Sequence, residues 1–376
     1  MTGEARNMEE NTASANEFNL PEKEIPLEFT GKASEYFGIW IVNILLTIIT
    51  LGIYAPWAKV RNKKYLYGNT LLENSPFDFI ANPVTILKGY LLALGFYVLF
   101  SVSSNFYPLS GLFFLFLFLL IFPWVVVRSM SFRLANTTYR NIRFHFERDY
   151  AESYKVFLGI GLLIPLTLGF IFPYYHYRQV KFVVDKSSFG TSRFDFDTKV
   201  GNFYIIYVII WGVFACLGVL MAVAMPLMLA EYPELAALMQ GQEEGQEVDP
   251  ELQQALFTLI TIMYAILGVV YIAVFAYMQA ALNNLLWNNV SIAKQRFRST
   301  LTTPMMVWLY LTNSVCIVIS FGLLIPWARI RMMRYRLKCL TVLSKGDLDG
   351  FIAGEKSKLS AAGEEIGEVF GLDIGI

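Results

Sequence analysis

Apolar positions run along the chain in long blocks, separated by short basic stretches in which apolar and polar residues alternate. Crossing roughly 30 Å of hydrocarbon takes about 20 helical residues. Four uncharged blocks fit that requirement: Tyr90–Ser104 with its extension Val84–Leu87 across Lys88, Leu109–Val127, Phe203–Ala230 and Ala255–Leu282. Three further blocks, around Tyr36–Trp57, Val156–Tyr177 and Met305–Trp327, carry an internal Gly and Pro.

Those three blocks align with one another as TLGIYAPWAKVRNKKY (Thr50–Tyr65), TLGFIFPYYHYRQVKF (Thr167–Phe182) and SFGLLIPWARIRMMRY (Ser320–Tyr335). Each places Gly52, Gly169 or Gly322 four residues before Pro56, Pro173 or Pro326, with Trp57, Tyr174 or Trp327 immediately after. Arg61, Arg178 and Arg331 follow five residues past the Pro, and Lys64-Tyr65, Lys181-Phe182 and Arg334-Tyr335 close the copies. Nine residues before the Gly stand Asn43 and Asn313, with Ile160 in the middle copy. Such correspondence reads as an internal repeat.

Between the units recur polar turns flanked by short alternating runs: Asn69–Phe79, Asn136–Phe146, Lys186–Phe196 and Asn289–Arg298. They predict small β-hairpins outside the membrane, with Leu27–Phe29 as a further strand. The expected fold is an all-α polytopic membrane protein with four full transmembrane helices, three Gly/Pro-broken (re-entrant or kinked) helical units, and short cytoplasmic β-hairpins. Its expected parts are a flexible cytoplasmic N-terminus at 1–26, a repeat-built membrane domain at 27–345 and a flexible C-terminal tail at 346–376. Within the membrane domain the Gly/Pro units lie near 36–66, 156–183 and 305–336, and the helix pairs near 84–127 and 203–285.

Composition supports a lipid environment: 56% of the 376 residues are hydrophobic, 16% are charged, and the mean hydropathy is +0.49. Soluble domains carry about a quarter charged residues. No early apolar core or cleavage site marks a signal peptide within Met1–Pro26.

Charge then orders the segments. Lys and Arg number four in Ala58–Pro83, six in Arg128–Lys155, five in Arg178–Asn202, three in Asn283–Thr303 and six in Ala328–Leu348. Asn105–Pro108 and Glu231–Gln254 have none. All five basic segments are expected in the cytoplasm. Seven simple crossings cannot place them there, whereas four crossings plus three units that return to their own face can. In that topology each Thr/Ser-Leu/Phe-Gly triplet is a tip, Gly takes the left-handed conformation and Pro starts the next helix. The tips are expected to meet inside the protein, because broken backbone at membrane depth needs protein or a wet cavity around it. The alternative is three kinked full spans.

Chemistry is sparse. No Asp, Glu, Lys, Arg or His occurs inside Phe37–Trp57, Leu91–Val127, Val156–Tyr175, Phe203–Ala230 or Ala255–Trp287, which argues against a proton relay. His145 and His176 read as interface or packing residues, and Cys216, Cys316 and Cys339 as thiols without metal or redox chemistry. No catalytic motif is visible, so no enzymatic activity, cofactor or metal is expected. Asn43, Thr50, Gly52, Thr167, Gly169, Asn313, Ser320 and Gly322 are the candidate pocket residues, where helix N-termini at the tips would meet an anionic or carbonyl-rich group. Arg61, Lys64, Arg178, Lys181, Arg331 and Arg334 are candidate contacts for anionic lipid headgroups. Membrane lipid is the expected partner. Nucleic acid is excluded by a balance of 30 basic and 30 acidic residues and by basic residues flanking apolar helices. The sequence names no protein partner.

The stretch Asn43–Thr70, an Asn followed after seven residues by LGIYAPW, resembles the hallmark of the YjgN-like family of bacterial inner-membrane proteins. The resemblance extends over about Leu27–Leu343. It implies a location in the inner membrane and a fold, and no activity. Ile160 and Tyr174 depart from the hallmark in the middle copy. The functional expectation is a transporter or a lipid- or solute-handling protein with a pocket at the three tips. The competing expectation is a membrane scaffold that binds anionic lipid or a cytoplasmic protein.

Overall fold

The computed structural model describes residues 22–107, 109–231 and 250–370. The expectations for residues 1–21, for most of the acidic connection Glu231–Gln254 and for residues 371–376 fall wholly or largely outside the described residues.

Four hairpins form where the alternating pattern places them: β2 (Thr70–Leu72) with β3 (Ser75–Phe79), β4 (Thr137–Tyr139) with β5 (Ile142–Phe146), β6 (Ser187–Phe189) with β7 (Ser192–Phe196), and β8 (Val290–Ile292) with β9 (Gln295–Ser299). Each is joined by a two-residue loop whose first member is left-handed: Glu73 (φ 45°), Arg140 (47°), Gly190 (59°) and Ala293 (49°). Such loops match the right-handed twist of the strands and fix the register.

The hairpins are not independent. With β1 (Glu22–Phe29) and β10 (Leu340–Lys345) they make one closed antiparallel barrel of ten strands in sequence order. β1 closes it: its first half pairs with β10 (Ile25 opposite Val342) and its second half with β2 (Leu27 opposite Leu72). This corrects the all-α expectation. A lone hairpin is marginal in water and leaves two unpaired edges. Closing them edge to edge satisfies every ladder and puts the apolar faces inside one wall. The hairpins are local and readable; the pairings between them join distant segments, and β10 lies in a stretch read only for its charge.

Every β2–β3-type turn lies at one rim. At the other rim each pair of neighbouring strands is bridged by a helical insertion. Helices α1 (Ala33–Ile49) and α2 (Ala55–Gly68) link β1 to β2, and α3 (Pro83–Phe106) and α4 (Ser110–Ala135) link β3 to β4. Between β5 and β6 come α5 (Tyr150–Ser153), a π-helical stretch at Tyr154–Ile160, α6 (Gly161–Leu166) and α7 (Phe172–Asp185). Helices α8 (Val200–Glu231) and α9 (Pro250–Asn288) lie between β7 and β8, and α10 (Thr303–Ile319) and α11 (Ile325–Lys338) between β9 and β10. Among the described residues four helices are long and apolar enough to cross a membrane, at Pro83–Phe106, Ser110–Ala135, Val200–Leu227 and Phe257–Asn288, matching the four uncharged blocks.

The described residues fall into two compact units: one reaches to Thr198 and includes Asn284–Thr300 and the chain from Ile317, and the other comprises Lys199–Asn283 and Leu301–Cys316. The first contains the barrel, the three Gly-containing elbows and a last helix, α12 (Leu348–Phe370). Helix α12 replaces most of the expected flexible tail. Its Leu348, Phe351, Ile352 and Leu359 recur at helical spacing and pack on the barrel's core.

Candidate functional site

Alternation along each short strand sends every second side chain inward. The middle layer pairs Leu27 with Leu72, Phe77 with Tyr139, Phe144 with Phe189, Phe194 with Ile292 and Phe297 with Val342 across neighbouring strands. Rings pack directly, with centroids 4.7 Å apart for Phe77–Tyr139 and 5.0 Å for Phe144–Phe189. Nearer the helical rim, Phe79, Phe146 and Phe196 are buried. Each ring taken out of water contributes about 1.5–3 kcal/mol.

A barrel of about eight strands is just wide enough for side chains to fill, and ten strands enclose more. Helix α12 fills part of the excess by setting Leu348, Phe351 and Ile352 into the mouth on the turn side. A chamber of about 180 Å³ remains, bounded by these residues, the middle-layer rings and Trp287. Its open wall is apolar. The Tyr139 hydroxyl is satisfied, donating to the Leu72 carbonyl at 2.7 Å. Gln295 also lines the chamber and is 4% exposed, and its Oε1 has no hydrogen-bond partner among the described residues.

Two polar latches seat α12. Glu355 is 1% exposed. One carboxylate oxygen accepts the Thr191 N–H at 2.6 Å and hydroxyl at 2.8 Å, and the Ser192 N–H at 3.3 Å. The other accepts the Ser192 hydroxyl at 2.8 Å and Lys358 Nζ at 3.2 Å. Burial alone would raise its pKa, but these donors outweigh burial and hold the carboxyl below its ordinary value. At the second latch, Arg140 pairs with Asp349 of α12 and with Glu73, and donates to Ser75 Oγ at 3.0 Å.

The expected pocket residues build the elbows. Gly52, Gly169 and Gly322 have φ of 92°, 86° and 88°, yet the residue before each, Leu51, Leu168 or Phe321, is also left-handed at 50°, 49° and 49°. Each Gly N–H reaches five residues back, to Thr47, Ile164 or Ile317, at 2.7–2.9 Å. This is a Schellman closure with a bulky residue where Gly is usual. The hydroxyls of Thr50, Thr167 and Ser320 donate to the carbonyls of Leu46, Leu163 and Ile317 and accept the N–H of Tyr54, Ile171 and Leu324. Asn43 is buried and donates to Asn62 Oδ1 at 3.1 Å, while Asn313 is buried on α10. The tips do not bury one another: Leu51, Leu168 and Phe321 are 93%, 87% and 97% exposed.

Of the expected headgroup contacts, Arg178 is taken up by Glu152 and the Tyr174 hydroxyl. Lys181 binds Asp185 and the Phe196 carbonyl, and Arg334 the Gly31 carbonyl. Arg331 lies over the Trp327 ring at 5.1 Å. Arg61 and Lys64 are exposed. The chamber itself was missed from sequence, although Phe77-x-Phe79, Phe144-x-Phe146 and Phe194-x-Phe196 display the aromatic face that forms it.

Curated relatives carry the same name, "Inner membrane protein YjgN". The protein from Salmonella typhimurium is 27% identical over 362 residues, covering 86% of this chain and 89% of the relative. That from Escherichia coli O157:H7 is 26% identical over 375 residues, covering 89% and 91%. No solved structure matches the chain. With four apolar helices of spanning length, the chain is, like these relatives, an inner-membrane protein. A family profile described as "Bacterial protein of unknown function (DUF898)" matches residues 24–369, and the chain belongs to that family.

Proposed function

We propose that this is a binding and handling protein for apolar molecules taken from the bilayer, such as lipids or lipid-like solutes, with the barrel interior as its chamber. The observation that carries this reading is the apolar space of about 180 Å³ left within a ten-stranded barrel. Cavities of about 150 Å³ lined by Leu, Ile and Phe stay dry and take up benzene. An apolar enclosure lacking a paired nucleophile, acid or base suits binding better than catalysis.

Topology fits the same reading. Each helical insertion begins and ends on neighbouring strands at one rim, so it returns to the face it left. Helices α3, α4, α8 and α9 cross the bilayer; the three elbows dip into it and come back. An exposed Leu or Phe held left-handed at each tip favours this, because the strain, about 1–2 kcal/mol, is offset when the side chain is immersed in lipid. The basic segments then put the barrel in the cytoplasm.

The test is mass spectrometry of compounds extracted from protein purified in native membrane patches, for wild type and for Val342→Trp, which fills the chamber. One apolar compound in stoichiometric amount, lost in the variant, supports the reading. Equal recovery from both proteins, or no stoichiometric compound in wild type, overturns it. A second reading, a scaffold for anionic lipid, is favoured by the exposed side chains of Arg61 and Lys64 at the first elbow. It predicts that reversing both charges weakens binding to anionic vesicles while leaving chamber occupancy intact.

A further inference from the structure

We infer that the chamber takes an apolar molecule carrying one hydrogen-bond donor, of the phenol or alcohol class, and that Gln295 Oε1 accepts that donor. The inference rests on the barrel interior being a binding chamber.

Within the barrel wall the polar groups are otherwise accounted for. The Tyr139 hydroxyl donates to Leu72, Ser299 Oγ donates to Asn284 Oδ1 at 2.7 Å, and Ser344 Oγ donates to the Gly346 carbonyl at 2.9 Å. Gln295 differs: it is buried beside the free space and its carbonyl oxygen has no partner among the described residues. A buried acceptor left unmade is a standing penalty that a suitable donor removes. The chamber's open wall is apolar, and the bond that carries the Gln295 amide is an sp³–sp² torsion with a broad, shallow profile. The inference requires that this torsion turn Oε1 toward a donor seated in the chamber.

Position in the barrel orients the guest. Gln295 opens β9 immediately after the β8–β9 turn, so it stands at the turn rim under α12. Trp287 and Leu340, which also line the chamber, come from the helical rim. The donor end of the molecule therefore points toward α12 and its apolar body toward the helical rim of the barrel. A wall that is otherwise apolar offers nothing to a second polar group or a charge, which excludes sugars, phosphates and carboxylates from the enclosed part of the ligand.

The experiment uses the full chain in lipid nanodiscs and two probes of similar shape, 4-fluorophenol and 4-fluorotoluene, followed by fluorine NMR against empty nanodiscs. Each is titrated into wild type, Gln295→Met and, as a second apolar replacement, Gln295→Leu. Both variants remove an unpartnered buried acceptor and are expected to melt at or above the wild-type temperature. The expected result is that each substitution weakens 4-fluorophenol about tenfold and leaves 4-fluorotoluene unchanged or tighter. Equal effects on the two probes, or none on either, overturn the role of Gln295 and leave the chamber standing. If neither probe binds wild type above the empty-disc background, the chamber reading fails and this inference fails with it.

Discussion

Glu355 and Thr191, 164 residues apart in sequence, meet at 2.6 Å, the Thr191 backbone N–H donating to the buried carboxylate. This bond and its neighbours hold α12 over the mouth of the chamber. The carboxyl is held below its ordinary value of 4.5, so its contribution is complete above about that pH and is lost as pH falls through the lowered value. Spin labels at Lys356 and Arg193, both exposed, should report a short distance above pH 4.5 that broadens below it. Glu355→Gln should show the broadened distribution at neutral pH, having lost charge-assisted bonds worth about 1.5–3 kcal/mol each. A distance indifferent to both changes would show that apolar contacts alone seat the helix.

Gly190 provides an independent handle on the same latch. A Cβ there would lie 2.5 Å from Glu355 Oε2, and the residue sits at φ 59°. Gly190→Ala should therefore loosen α12 by both strain and collision. Because the collision needs the carboxylate, the substitution should do less harm in a Glu355→Ala background. Thermal melts of the four proteins give the coupling, expected at about 0.5–3 kcal/mol; simple additivity would mean that the two residues do not meet.

At the elbows the backbone, rather than space, is limiting. Nothing lies within 4 Å of a Cβ built on Gly52 or Gly169, yet their φ of 92° and 86° penalises any side chain. Alanine at either position should destabilise by about 1 kcal/mol or more. Glycine in place of the left-handed Leu51 should be neutral or stabilising in detergent, where the strain is relieved. Melting temperatures in one detergent decide both; a harmless Gly52→Ala would remove the backbone argument.

These contrasts show where the sequence was readable. Polar turns such as Glu73-Asn74 and Arg140-Asn141 are short-range signals, and the hairpins around them form as expected. Gly52, Gly169 and Gly322 likewise mark the elbows, because conformation there is set within a few residues. Barrel closure is different: Ile25 meets Val342 only through the ladder between the two ends of the chain, and neither strand reveals its partner. A physical clue was nonetheless present. Three hairpins with two Phe on one face of their second strand cannot each expose that face, and a one-residue register slip would bury Asp78, His145 or Asp195 instead. Helix α12 was legible too, in the spacing of Leu348, Phe351, Ile352, Glu355 and Leu359. At the elbows the hydroxyls of Thr50, Thr167 and Ser320 bond within their own turns, a local use that sequence alone does not separate from lining a pocket.

The parity of the helical insertions yields the last prediction. Neighbouring antiparallel strands bring the two ends of every insertion to one rim, so all four two-residue turns lie on the opposite rim. An insertion that crossed the bilayer an odd number of times could not rejoin the ladder next to the strand it left. Single cysteines at Asn74, Asn141, Thr191 and Lys294 should therefore all react with a membrane-impermeant maleimide from one side. The basic segments predict that this side is the cytoplasm, so on the proposed orientation labelling should require inverted vesicles. Asn105, in the last turn of α3 beside the short link to α4, should react from the other side, in intact spheroplasts. If Thr191 labelled from the periplasm while Asn74 labelled from the cytoplasm, the closed barrel and the returning elbows would both be lost, because one connected wall cannot present its turns to two compartments.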